Sequence, residues 1–236
     1  MKELSLFSGA GGGLLGTKLL GWECYGYVEY DDYCQRVIAQ RIEDGILDQA
    51  PIFGDIKAFI SEGYADAYSG LVDVVTAGFP CQPFSVAGKR AGQDDDRNMW
   101  PQTIDVIRRV RPRFALLENV SGLLTHEYGR KVFGDLAKNR FNARWSVFRA
   151  SDANGQHRRE RLFIIADSDM CGSKRAKEKE DRFFRYTRVV EEKRWGFSES
   201  ELYGVPNGLA NRMDRLKAIG NGQVPAVVRA AWELMQ

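Results

Sequence analysis

Leu4-Ser5-Leu6-Phe7-Ser8-Gly9-Ala10-Gly11-Gly12-Gly13 is a short apolar run that breaks into a glycine-rich turn and leads into a helix-like segment reaching Leu20. A strand, a glycine turn and a helix in that order let a ligand approach the backbone closely while the first helical amides point at it. Gly11, Gly13 and Gly16 satisfy the spacing G-x-G-x-x-G, and Glu29 closes the next apolar run, 24–28, where a carboxylate accepts both hydroxyls of a ribose. This pattern fits any adenosine-bearing cofactor. A nicotinamide dinucleotide and a methyl donor read equally well, and a turn with a purely structural purpose uses the same glycines. Asp55, after the apolar pair Ile52-Phe53, either accepts from an adenine amino group at a third strand end or caps a helix.

Outward from this turn, apolar runs alternate with amphipathic stretches. A helical segment is expected around 33–41, with further strands at 72–77, 114–117, 145–148 and 162–166. Pro101 suits the first turn of a helix with Ile104, Ile107 and Val110 on one face, and Val132, Phe133, Leu136 and Ala137 form a second stripe. Such alternation predicts an α/β fold with a mostly parallel sheet flanked by helices. After Ala166 the rhythm stops in a charge-dense stretch carrying Phe183, Phe184 and Tyr186. We expect a main domain over 1–166, a small insert over 167–207, and a C-terminal segment over 208–236 whose helix begins at Pro225 and carries Val227, Val228, Ala231 and Leu234 on its apolar side.

The 236 residues, 44% of them hydrophobic, suffice for one substantial core with a small appendage. Cys24, Cys34, Cys81 and Cys171 form no Cys-x-x-Cys pair, which argues against a disulfide framework or structural zinc and suits a reducing compartment. With His126 and His157 as the only histidines, no metal site is expected. The start of the chain lacks a signal-peptide core and no apolar stretch approaches membrane-spanning length, so a cytoplasmic protein is expected. A net charge of +2 and a pI near 8.3 neither demand nor exclude nucleic acid.

Three groups carry chemistry. Gly78-Phe79-Pro80-Cys81-Gln82-Pro83-Phe84-Ser85 presents one thiol between two prolines that stiffen the backbone around it, a setting that aims a nucleophile. Glu118 ends a strand expected to be buried, and a carboxyl group there holds its proton near neutral pH. Arg159 and Arg161 precede the run 162–165, where alternation puts both guanidinium groups on one side.

Taken together these residues resemble the DNA cytosine-5 methyltransferase family over nearly the whole chain, in the family's order: 7–12, Glu29, Asp55-Ile56, Pro80-Cys81-Gln82, Glu118-Asn119-Val120, Arg159-Glu160-Arg161, and Gly220-Asn221-Gly222 with Val224-Pro225. The resemblance implies a Rossmann-like fold dependent on S-adenosylmethionine, with a target-recognition insert. It implies methyl transfer to C5 of cytosine in double-stranded DNA, with Cys81 attacking C6 of a flipped base, Glu118 at N3, and Arg159 and Arg161 on the base carbonyl. Cofactor contacts carry over to Phe7, Ser8, Gly9, Gly11, Gly12, Glu29, Tyr30 as the stacking platform, Asp55, Ile56, Pro80, Trp100 and Asn221. DNA contacts carry over to Gln82, Ser85, Lys89, Arg90 and Arg97, within a stretch that resembles the family's closing loop. By the same resemblance the protein is prokaryotic or phage-encoded, acts as a monomer on DNA, and belongs with a restriction endonuclease that cuts the same site.

Two departures stand out. His157 and Gln156 replace residues usual before the basic motif, and the short insert implies few base contacts and a short recognition sequence. A transfer-RNA methyltransferase on the same scaffold, a catalytically silent DNA-binding relative and a nicotinamide oxidoreductase are the alternatives. The last leaves Pro80-Cys81-Gln82 without a purpose.

Overall fold

The computed structural model describes residues 1–80, 98–153, 155, 159–168 and 222–236. Their strands are β1 (Lys2–Leu6), β2 (Glu23–Val28), β3 (Ile52–Phe53), β4 (Val74–Ala77), β5 (Phe114–Asn119), β6 (Phe141–Arg149) and β7 (Glu160–Ser168). The helices are α1 (Gly12–Lys18), α2 (Asp32–Glu43), α3 (Ile56–Ser61), α4 (Tyr64–Ala67), α5 (Trp100–Val110), α6 (Glu127–Lys138) and α7 (Pro225–Met235).

The strands form one sheet in the order β3-β2-β1-β4-β5-β7-β6. Pairing is parallel from β3 through to β5, and β7 runs antiparallel to both its neighbours. The chain builds outward from β1 through β2 to β3 and then returns to the other side of β1 with β4. Strand order therefore reverses between β1 and β4, and the crevice at such a switch point is where open α/β sheets bind ligands. The glycine turn follows β1 and the residues leading to Cys81 follow β4, so the sequence brings both to one crevice.

Alternation along the strands sorts side chains into two layers. Leu4, Leu6, Val75, Ala77, Ala115, Leu117, Leu162 and Ile164 pack with α3, α4, α5 and α6. On the other face Val74, Phe114, Leu116, Phe163 and Ile165 pack against Val227, Val228, Ala231 and Trp232 of α7. All six residues of β5 are buried, as expected of a strand covered on both faces. Trp232 meets Trp22 and Phe114 edge-on with ring centres 4.6 and 5.3 Å apart. Helix α7 lies against α1 at Gly16, where a Cβ would come within 2.6 Å of Val228 Cβ and 2.7 Å of the Pro225 carbonyl.

The expected elements are present with local differences. Strand β1 ends at Leu6, because Phe7 turns to a positive φ of 54°. Helix α1 stops at Lys18 and not at Leu20, and β4 begins at Val74 and not at Val72. Ala137 is exposed, and Tyr128 completes the buried stripe of α6 with Val132 and Leu136. On α5 the fully buried residues include Trp100, Thr103 and Val106 beside Ile107 and Val110, with Ile104 only partly covered. Strand β7 runs to Ser168, so the boundary expected at 166 falls inside it. Asp167 belongs to the sheet, paired with Asn142 and held by Arg144 at 2.6 Å. Among the described residues no helix is long and apolar enough to cross a membrane.

Candidate active site

The turn after β1 is shaped by backbone conformation. Gly9 and Gly11 have φ of 55° and 84°, which glycine adopts without penalty. Phe7 takes a similar φ despite its aromatic ring, a strain of roughly 1–3 kcal/mol that is typical of ligand sites. Arg41 of α2 donates to the Ala10 carbonyl and fastens the tip of the turn. Around Gly9 the space is open, with nothing within 4 Å of where a Cβ would stand.

Glu29, one residue past β2, reaches across to this turn. Gly9 N donates to its Oε2 at 2.6 Å and Asp31 N to its Oε1 at 2.9 Å, while Gln35 donates to its backbone carbonyl at 2.8 Å. Burial pushes this carboxyl group upward from its usual value, against the bonds donated by Asp31 and Gly9. Each oxygen retains acceptor capacity for a diol. Tyr30 beside it is 79% exposed, a free aromatic face. Asp55 is the N-cap of α3, its Oδ1 accepting from Lys57 N at 2.8 Å, so the capping expectation holds. Ile56 sits in the core at the first position of α3. Trp100 is also a core residue: it is fully buried against Phe79, and its Nε1 donates to Asp135 at 3.0 Å.

Across the crevice, Glu118 points to the same face as Phe163, its partner in the β5–β7 register, and as Arg161 two residues earlier. Arg161 Nε lies 2.9 Å from Glu118 Oε1 as an ion pair. That oxygen is fully buried, and its partner among the described residues is this guanidinium. Burial is the largest influence on Glu118 and pushes its carboxyl group upward, opposed by Arg161, Arg159 and a hydrogen bond from Gln223. Arg159 Nη2 donates to the Gly222 carbonyl at 2.7 Å. Burial, reinforced by Arg161 and opposed by Glu118, draws Arg159 below its usual value. A buried acid raised by its surroundings and flanked by two guanidinium groups is suited to holding a proton and giving it to a ring nitrogen.

Two carboxamides that carried no assigned role in the sequence complete the site. Asn119 Nδ2 donates to the Phe79 carbonyl at 3.0 Å, which links β5 to the loop approaching Cys81. Gln223 lies between Gly13, Gly78 and Glu118. Its only signal in the sequence is a polar residue just before an apolar helix. Pro80 is half-buried at the crevice edge. Cys81, Gln82, Ser85, Lys89, Arg90, Arg97, Gln156, His157 and Asn221 lie outside the described residues.

A seven-stranded sheet of this order, with a glycine turn after β1 and an acidic residue after β2 in one crevice, defines a Rossmann-like methyltransferase fold. The sequence model of the C-5 cytosine-specific DNA methylase family matches residues 1–204, and the chain belongs to that family. It is similar to the type II methyltransferase M.NgoMIV of Neisseria gonorrhoeae, with 30% identity over 168 residues covering 70% of this chain and 51% of that protein. With M.HpaII of Haemophilus parainfluenzae identity is 34% over 173 residues, covering 69% of this chain and 44% of that one. The chain thus spans about half the length of the curated relatives it matches. Its fold is shared with the Dnmt2 methyltransferase of S. pombe, at a TM-score of 0.66 and 14% identity over 99% of this chain and 98% of that one.

Proposed function

We propose that this chain transfers a methyl group from S-adenosylmethionine to C5 of cytosine in double-stranded DNA. The observation that carries the reading is Glu118: a buried carboxyl group, raised by burial, that pairs with Arg161 at 2.9 Å and stands under the charge of Arg159 as well. The family assignment and the type II methyltransferase names of the relatives support it. The first half of the crevice fits such a donor, since it offers open space over Gly9, a buried carboxylate fastened to the turn at Glu29, and the exposed ring of Tyr30.

The donor, when bound, supplies an electrophilic methyl group. The protein's own residues make cytosine able to receive it. A base stacked in a duplex is out of reach, so it must be flipped into the crevice, at a cost of a few kcal/mol in lost stacking. The Cys81 thiolate adds to C6 while Glu118 gives its proton to N3, and the pyrimidine becomes an enamine with electron density at C5. Arg161 and Arg159 hold the base carbonyl and balance the charge that builds on it. Formation of the C5–CH3 bond would break the donor's S–CH3 bond and leave S-adenosylhomocysteine; the C5 proton then passes to water, the C6–S bond breaks with Cys81 departing as thiolate, and N3 returns its proton to Glu118.

The residues between β7 and 207 belong to target recognition in this reading, supported by a family match that extends to residue 204. A cytoplasmic, monomeric enzyme working beside a restriction endonuclease of the same specificity completes it. Incubation with methyl-labelled S-adenosylmethionine and either duplex DNA or transfer RNA tests the proposal. Label should enter 5-methylcytosine in DNA, and Cys81→Ser should abolish it while DNA binding persists. Label in transfer RNA alone, or undiminished transfer by Cys81→Ser, overturns it.

A further inference from the structure

Gln223 occupies a narrow space whose walls are glycines. A Cβ on Gly13 would stand 2.6 Å from Gln223 Oε1, one on Gly78 would stand 2.8 Å from Gln223 Nε2, and one on Gly12 would overlap the Gln223 carbonyl oxygen. Glu118 Oε2 lies 3.3 Å from the same position over Gly78, so the amide nitrogen and the carboxylate meet above that glycine. The hydrogen bond from Gln223 to Glu118 follows from this arrangement. One carboxamide therefore has its oxygen against the start of α1, under the methyl-donor turn, and its nitrogen on the group that activates the base. Its backbone is held as well, because the preceding carbonyl, of Gly222, accepts from Arg159 at 2.7 Å.

We propose that Gln223 is a positioning residue that orients Glu118 toward the target base and couples that orientation to the donor-binding turn. It rests on the reading of Glu118 as the group that protonates the base. A donor that settles on the turn shifts α1 at Gly13, and the rigid planar amide passes the shift to Glu118. A longer side chain at Gly13 or Gly78 has no room while the Gln223 side chain is in place, and one at Gly12 would strike its backbone, which accounts for glycine at the start of α1 and after β4. By linkage the coupling is reciprocal, so the ionisation of Glu118 affects donor affinity as much as the donor affects Glu118.

The experiment uses the full chain with S-adenosylhomocysteine as the probe. Carboxyl carbon NMR of the protein labelled at glutamate, with Glu118 assigned by its loss in Glu118→Gln, follows Glu118 across pH with and without the probe. In the parent, the probe should move the Glu118 titration. In Gln223→Leu, which keeps the volume and removes the amide, the titration should lie at higher pH because a donor to the charged form is gone, and the probe should no longer move it. Single-turnover methylation should fall at least about tenfold, with probe affinity changed far less. Gly13→Ala touches the amide only from the donor side and should also move Glu118, while the double variant should add nothing to Gln223→Leu.

Additive effects in that cycle, or a Glu118 titration that responds to the probe equally in parent and Gln223→Leu, overturn the proposal. So does a loss of rate in Gln223→Leu matched by an equal loss of probe affinity and no change in the titration, the signature of a packing residue alone. The NMR readout needs no turnover. A parent that binds the probe and couples it to Glu118 but methylates no DNA leaves the coupling standing and removes the proposed reaction instead.

Discussion

Arg159 and Gly222 are joined by a hydrogen bond of 2.7 Å between residues 63 positions apart in sequence. The side chain comes from the lead-in to β7 and the carbonyl from the lead-in to α7. The C-terminal segment is thereby attached to the arginine pair that faces Glu118, and the active-site wall is assembled from chain on both sides of the intervening residues.

Arg159→Met tests that attachment. It removes the hydrogen bond to Gly222 and one of the charges opposing the upward shift of Glu118, so the carboxyl group should move still higher. Methyl transfer should drop by about 10²-fold, as for loss of an electrostatic contact at a reacting carbonyl. Single-turnover rates on a short duplex measure this, and a rate within twofold of the parent contradicts the role.

Glu118→Gln should lower the rate by about 10²–10³-fold, since the amide still donates a hydrogen bond but has no proton to give. The pH profile is the sharper measurement. Glu118 acts protonated and burial raises its pKa, so the parent rate should be lost on the alkaline side as pH rises through that raised value. The variant should lack this limb, and a profile unchanged in shape assigns the limb elsewhere.

Glu29→Gln addresses the donor half of the crevice. The two backbone donors, Gly9 N and Asp31 N, now meet a carboxylate, and one of them would instead face an amide NH2. Calorimetric affinity for S-adenosylhomocysteine should weaken about 10- to 100-fold, the effect of losing a charge-assisted bond. Undiminished affinity places the ribose contact on another residue.

Glu3 gives a stability prediction. It is buried at the base of β1, with Thr17 and Thr76 donating to its two oxygens at 2.5 and 2.6 Å, and burial pushes its pKa up to about 7. The folded state therefore holds a proton that the unfolded chain releases near its ordinary value. Stability is full below that value and declines as pH rises toward 7, by roughly 3 kcal/mol in all. Glu3→Gln should flatten this dependence in urea unfolding between pH 5 and 8, and an unaltered slope shows that another group is responsible.

Much of the architecture is legible in the sequence because burial on both faces writes β5 as Phe114-Ala115-Leu116-Leu117 and because glycine is the residue that turns sharply after β1. Glu29, Glu118 and the arginine pair are legible for a related reason: strand ends locate them. Glu3 is hidden by the same logic. In Lys2-Glu3-Leu4-Ser5-Leu6 the alternation suggests a solvated polar face, whereas α1 covers that face and Thr17 and Thr76 satisfy the carboxyl group. Gln223 is hidden because its meaning depends on three glycines distant in the chain, which no local period reports. Trp100 carries over by motif position to the cofactor, yet its large ring is what the α5–α6 layer encloses.

The bond from Asn119 to the Phe79 carbonyl has a consequence for recombination among relatives. The strand that bears the acid and the chain leading to Cys81 are held together by it, although 40 residues separate the two ends of the bond. A chimera that takes residues 74–81 from one parent and 114–119 from another should combine a nucleophile and an acid whose supports were matched to different partners. One that moves both together keeps their registration, whatever stands in between.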